Sequence, residues 1–177
     1  MLTTVERLRG IMPEMSELDD LLMLQIAAAS AAIENYCKRS FRKQSYSERI
    51  SGHVTSKYIN LRNYPVHTIV EIPSVWDYEI LDEGRLYRPH GWPTGDHNIS
   101  ISYIGGYVLP KDATEENPRT LPEALELACL LYSQVLLRSP GVKSERVGDI
   151  SVGYTDDSSS LPPAVISLIS PYVGRWI

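Results

Sequence analysis

The chain has 177 residues, 43% of them hydrophobic and 22% charged, with a formal net charge of −5 at pH 7. That length supports a domain with a real core, and the composition is ordinary for a globular protein. The negative balance argues against a protein that grips nucleic acid by bulk charge.

Thr3 to Gly10 reads as a short helix with Val5 and Leu8 on its apolar side, ended by Gly10 and Pro13. Ser16 then caps a second helix, expected over 16–39, with Asp19 and Asp20 at its positive end. Leu18, Leu22, Ile26, Ala29, Ile33 and Cys37 recur at helical spacing, and the alanines between Ala27 and Ala32 let another helix approach closely. Lys38, Arg39, Arg42 and Lys43 read as a solvated helix end offset by Glu48, rather than a phosphate site.

Composition changes at Lys43. From there to Tyr107 the chain is rich in Tyr, Ile, Val, Ser and Thr, broken by turn residues. Strands are expected at Gln44–Ile50, with Tyr46, Glu48 and Ile50 on one face, and at Tyr58–Arg62, with Ile59 and Leu61 inward. A third has Val66, Thr68, Val70 and Ile72 alternating. Two more flank the turn Asp82-Glu83-Gly84. Asn98 to Tyr103 alternates, with Ile99, Ile101 and Tyr103 inward. These runs predict a small antiparallel sheet inserted over 43–107.

A polar loop runs from Val108 to Arg119. A helix over 121–138 follows, with Thr120 as its cap, Pro122 in its first turn and Glu123 three residues after the cap. Between Ala124 and Leu137 only Glu126, Ser133 and Gln134 interrupt an apolar surface, so the helix is expected to be covered on most sides. Ser139-Pro140-Gly141 ends it, and a polar turn leads to an alternating run from Ile150 to Tyr154. Asp156 to Ser160 is an Asp/Ser tract. A last helix is expected over 162–170, and Tyr172, Val173, Trp176 and Ile177 leave an apolar tip. The fold class is therefore α+β and mainly helical, a helical bundle core with an inserted small antiparallel β-sheet, in one domain spanning 1–177.

The search for chemistry is short. Cys37 and Cys129 fall in apolar helical stretches and read as reduced core residues of a cytosolic protein. There is no Cys/His cluster of zinc spacing. His90, Asp96 and His97 lie within eight residues and form the best metal candidate, yet they match no established spacing, and loop histidines are common. Asp149, Asp156 and Asp157 sit where turns favour Asp. Gly105-Gly106 lacks the Lys and Ser/Thr of a phosphate loop, and no GxSxG elbow exists. Eleven tyrosines against one phenylalanine lean toward an interaction protein, although each Tyr taken singly is adequately explained by packing. No signal pattern opens the chain, and no apolar run reaches membrane-spanning length, so an aqueous, reducing compartment is expected.

Several stretches, taken in order, carry a resemblance. They are Ala27–Cys37 with Arg39-Ser40-Phe41, then Leu61–Val66, Gly91-Trp92-Pro93 and Ile101–Tyr107. Leu121-Pro122-Glu123-Ala124 follows, and last comes Lys143-Ser144-Glu145-Arg146-Val147-Gly148-Asp149-Ile150-Ser151-Val152-Gly153-Tyr154. Together they resemble the head-tail connector (adaptor, head-completion) proteins of tailed bacteriophages and prophages, over nearly the whole chain. The last pattern is the most specific. The resemblance implies a non-enzymatic structural protein without cofactors. It would sit in the virion neck, after assembly in the host cytoplasm, as a homo-oligomeric ring that is dodecameric in the particle. Portal protein would lie on one side and a tail or neck-completion protein on the other, with DNA passing through unread and no membrane involved. The residues expected at the partner interface are Lys143, Ser144, Glu145, Arg146, Val147, Gly148, Asp149, Tyr154, Tyr172 and Trp176, with 155–177 as a docking segment. Two alternatives stand beside this one: a small metal-dependent hydrolase using His90, Asp96 and His97, and a tyrosine-rich ligand-binding module.

Overall fold

The computed structural model describes residues 1–12, 19–73, 75–137, 144–147, 150–153 and 161–174; for Glu83, 144–147 and 150–153 it describes the backbone alone. Two compact units make up the chain: Met1–Ile33 with Pro122–Pro171, and Glu34–Leu121 with Tyr172–Ile177.

The first unit is mostly helical. Helix α1 (Val5–Ile11) starts at Thr4, whose hydroxyl accepts from the Arg7 amide. It runs through Gly10, one residue past the expected stop. Helix α2 is described over Asp19–Cys37, and its predicted cap, Ser16, lies outside the described residues. Leu22, Ile26, Ala29 and Ile33 are fully buried, as their spacing predicted. Helix α3 (Glu123–Leu137) packs against α4 (Pro163–Ile169), which buries Val165 and Ile169. In chain order between these two helices comes the hairpin β7 (Ser144–Val147) and β8 (Ile150–Gly153), whose strands pair only with each other among the described residues.

The second unit overturns the expected helical bundle core with one small inserted sheet. Its six strands are β1 (Gln44–Gly52), β2 (Tyr58–Asn60), β3 (Val66–Glu71), β4 (Glu79–Leu81), β5 (Arg85–Tyr87) and β6 (Gly95–Gly105). They form two three-stranded antiparallel sheets, ordered β1-β6-β3 and β2-β5-β4. These sheets share a core of their own. Ile99, Ile101 and Tyr103 of β6 and Tyr46 and Ile50 of β1 pack with Ile59, Leu61, Leu86, Trp92, Ile72 and Val75. Trp92 and Tyr103 head the largest fully buried side chains of the described chain. The fold is α+β, but a run of period-two apolar residues this long builds its own hydrophobic centre instead of decorating a helical one.

Three local readings are corrected. Val70 faces solvent and Ile69 turns inward, because the β3–β6 register shifts on both sides of Thr68–Ile69; each bulge inverts the faces of the residues beyond it. Thr120 is not a helix cap. Its hydroxyl accepts from the Val108 amide at 2.9 Å, and its own amide donates to the Val108 carbonyl. Arg39, expected on a solvated helix end, is buried (5% exposed).

Candidate assembly surface

In the first unit, two polar residues of α3 face inward with Leu125, Ala128, Cys129 and Leu130. Glu126 and Ser133 are buried, while Leu127 and Val135 are 46% and 47% exposed. The Glu126 carboxylate explains its own burial: it accepts from the Thr3 hydroxyl at 3.2 Å and from the Arg7 guanidinium at 3.0 Å. A buried carboxylate that is paired and hydrogen-bonded is tolerable, whereas a bare one is not. Nearby, the Ser30 hydroxyl donates to the Ile26 carbonyl and accepts from the Leu2 amide. It also contacts Cys129 Sγ at 3.4 Å. Burial pushes the Cys129 thiol up from its ordinary range, so it stays protonated.

With polar side chains turned inward, apolar ones are left outside. On α2, Leu21, Leu24, Ala28 and Ala31 are exposed and fall on one stripe, opposite the buried stripe of Leu22, Ile26, Ala29 and Ile33. On α3, Leu127 and Val135, two helical turns apart, form a second exposed stripe.

In the second unit, burial gathers polar groups into two clusters. The Tyr103 hydroxyl donates to Glu48 and accepts from the Asn63 amide at 3.0 Å. Burial, and next the Glu48 carboxylate, hold the Tyr103 phenol far above its usual range. Around Arg39, the guanidinium lies 3.3 Å from the Tyr64 ring centroid and 5.0 Å from that of Phe41, and donates to the Tyr64 carbonyl. Among the described residues, its Nε and Nη1 have no hydrogen-bond partner. Aromatic faces replace a carboxylate here. Burial pushes the Cys37 thiol up to about 11, against the opposing pull of Arg39.

Of the sequence-predicted interface, Ser144, Glu145, Arg146 and Val147 form β7, while Lys143, Gly148, Asp149, Tyr154 and Trp176 lie outside the described residues. Tyr172 is half-buried in the turn Ser170–Tyr172, within electrostatic reach of Tyr107. The segment 155–177 contains α4 and the buried Leu161, so part of it is core. His90 is exposed in a turn. The His97 amide donates to the Ser51 hydroxyl, and its ring lies 3.5 Å from the Arg49 carbonyl. Among the described residues, no group of three or more His, Cys, Asp or Glu could hold a metal ion, and no helix is long and apolar enough to cross a membrane. Sequence reasoning missed the exposed α2 stripe. The signal was present in Leu21, Leu24, Ala28 and Ala31, a second apolar series on a helix already given one buried face.

Comparison with known proteins gives a consistent picture. The family model described as "Head completion protein" matches residues 2–173. No curated protein matches. Among solved structures, the chain is similar to one from the neck of a native gene transfer agent (GTA) particle computed with C12 symmetry. That match has a TM-score of 0.61 and 15% identity, covering 98% of this chain and 89% of that one. A chain from the neck of the empty GTA particle, computed with C6 symmetry, gives 0.59 at 17% identity, covering 92% of this chain and 82% of that one. A chain from the native GTA virion gives 0.59 at 16% identity, covering 92% and 81%. At such identities the likeness is one of fold.

Proposed function

The chain belongs to the head completion protein family, and from that premise we propose that it is a structural, non-catalytic protein of the neck of a tailed phage-like particle. It forms a ring there that joins the capsid vertex to the tail and leaves a passage for the genome. The observation that carries this reading is the family match over residues 2–173. Two physical features support it. The first is the apolar surface left open on α2 and α3, since a monomer gains nothing from exposing Leu24 and Leu127 while a ring of copies can cover them. The second is the acidic balance of the chain, which repels DNA weakly and favours passage over retention. Portal and tail proteins are the partners on either side. The hairpin β7–β8, with its sequence neighbours Lys143, Gly148, Asp149 and Tyr154, is the element assigned to them, together with Tyr172 and Trp176.

Removing the gene from its phage or prophage tests the function. The expected result is DNA-filled heads and separate tails, restored to joined particles by the intact gene. Joined, infectious particles made without the protein would refute the reading. For the interface, Glu145→Lys with Arg146→Glu in the hairpin is expected to leave the isolated protein folded by circular dichroism while lowering its incorporation into particles. Normal incorporation of that variant would reassign the docking element.

A further inference from the structure

Strands β1 and β2 follow one another directly, joined by the turn at His53–Lys57, yet they do not pair with each other. Among the described residues, strand β1 pairs only with β6, and β2 only with β5. Each is therefore the edge of its sheet. Residues of both edges, Ser47–Ser51 and Tyr58–Asn60 among them, line one groove of about 520 Å³. His53 and Ser56 of the turn line it as well. The Glu48 carboxylate accepts from the Arg62 amide at 3.1 Å and 3.4 Å.

The size of this slot is informative. One strand residue in a packed sheet fills ~160 Å³, from a strand spacing of about 4.8 Å, a sheet spacing of about 10 Å and a rise of about 3.3 Å. The groove thus accommodates about three residues, which is the length of β2. Its walls are polar: Ser47, Arg49, Ser51, Asn60 and Arg62 line it. An edge strand presents N–H and C=O groups in alternation. A peptide can answer both, whereas a phosphate only accepts. Glu48 is already engaged by Tyr103 and the Arg62 amide, while the Arg49 side chain is exposed. The exposed Arg49 cation on the wall calls for a carboxylate.

We propose that this slot takes one extended, acidic segment of a partner polypeptide, which enters as a strand between β1 and β2 and bridges the two sheets. The proposal goes beyond the neck reading and does not rest on it.

The test uses the full chain and a synthetic probe, acetyl-Thr-Glu-Val-Glu-Thr-amide, read by backbone hydrogen exchange. At millimolar peptide, exchange is expected to slow over Ser47–Ser51 and Tyr58–Asn60. The same peptide N-methylated at alternate residues is expected to have no effect. Its Lys counterpart is expected to bind about threefold more weakly, and Arg49→Glu, at an exposed side chain, is expected to reverse that order. Any of four results would overturn the proposal. These are no slowing at millimolar peptide, equal slowing by the N-methylated peptide, protection of these strands by a short DNA duplex, or protection that rises with protein concentration alone.

Discussion

Replacing Tyr103 by Phe isolates the polar cluster at the centre of the β unit. The ring stays, still packed against Tyr46 with centroids 5.7 Å apart, so no cavity opens. Only the hydroxyl goes, and three contacts go with it, the weakest being that from Asn63 Nδ2 at 3.4 Å. Glu48 loses a charge-assisted donor, worth about 1.5–3 kcal/mol when intact. The Asn63 amide, 3.0 Å away on a residue only 8% exposed, loses its acceptor. Leaving such a group unpaired costs about 1–3 kcal/mol. Glu48 is half-buried and regains water, so its share falls at the low end. The expected loss is about 3 kcal/mol, read as a lower urea midpoint at unchanged slope and as a fall of about 6–12 °C in Tm. Glu48→Gln completes a double-mutant cycle in which the coupling is about 1–2 kcal/mol. A loss below about 1 kcal/mol for Tyr103→Phe, or a coupling near zero, would refute the reasoning, because the cluster would then be contributing nothing beyond packing.

Two other outcomes follow from burial. Alkali should weaken the fold. Cys37 is pushed up to about 11 from its ordinary 9.0, and Cys129, Tyr46, Tyr103 and Tyr107 are raised in the same direction, all chiefly by burial. The folded chain keeps protons that the unfolded chain gives up. Stability from Cys37 is therefore complete below pH 9.0 and is lost as pH rises toward 11, at about 1.4 kcal/mol per pH unit. Urea unfolding across that range should show the decline, with a shallower slope in Cys37→Ala. On α3, Leu125→Ala is expected to cost about 3 kcal/mol because the side chain is fully buried, while Leu127→Ser, four-tenths or more exposed, stays within about 0.5 kcal/mol; thermal melts of both variants check the assignment of faces.

The sequence was most legible where one periodicity ruled. Ile99, Ile101 and Tyr103 turn inward as their alternation predicts, and so do Leu22, Ile26, Ala29, Ile33 and Cys37 of α2. It was least legible where a distant partner reverses a local preference. Glu126 looks like a solvent residue until Thr3 and Arg7 close on it. Arg39 reads as a helix-end cation until Phe41 and Tyr64 enclose it. Val70 and Ile69 exchange faces through bulges that leave no mark in composition. The size of the β part was hidden for a related reason: short strands were visible one by one, but their division into two sheets depends on pairings between β1 and β6 and between β2 and β5, which no local pattern encodes. The slot between β1 and β2 is equally silent, since consecutive strands ordinarily pair.

The interleaving of the two units has a consequence for how the chain is made. One unit is opened by Met1–Ile33 and completed by Pro122–Pro171; the other is opened at Glu34 and completed by Tyr172–Ile177. A chain emerging from the ribosome can pair β1 with β6 once Gly105 is out, yet the carbonyl that ends α2, at Cys37, waits for the amide of Gly174. Neither unit is finished until the chain has been extended as far as Pro171 and Gly174. Folding is thus set by long loop closures instead of vectorial growth, and the open apolar stripes of α2 and α3 exist before the chain can have completed its fold. A cell making this protein in quantity holds incomplete copies until those segments emerge, and the rate of translation from Pro122 to Gly174 becomes a determinant of yield.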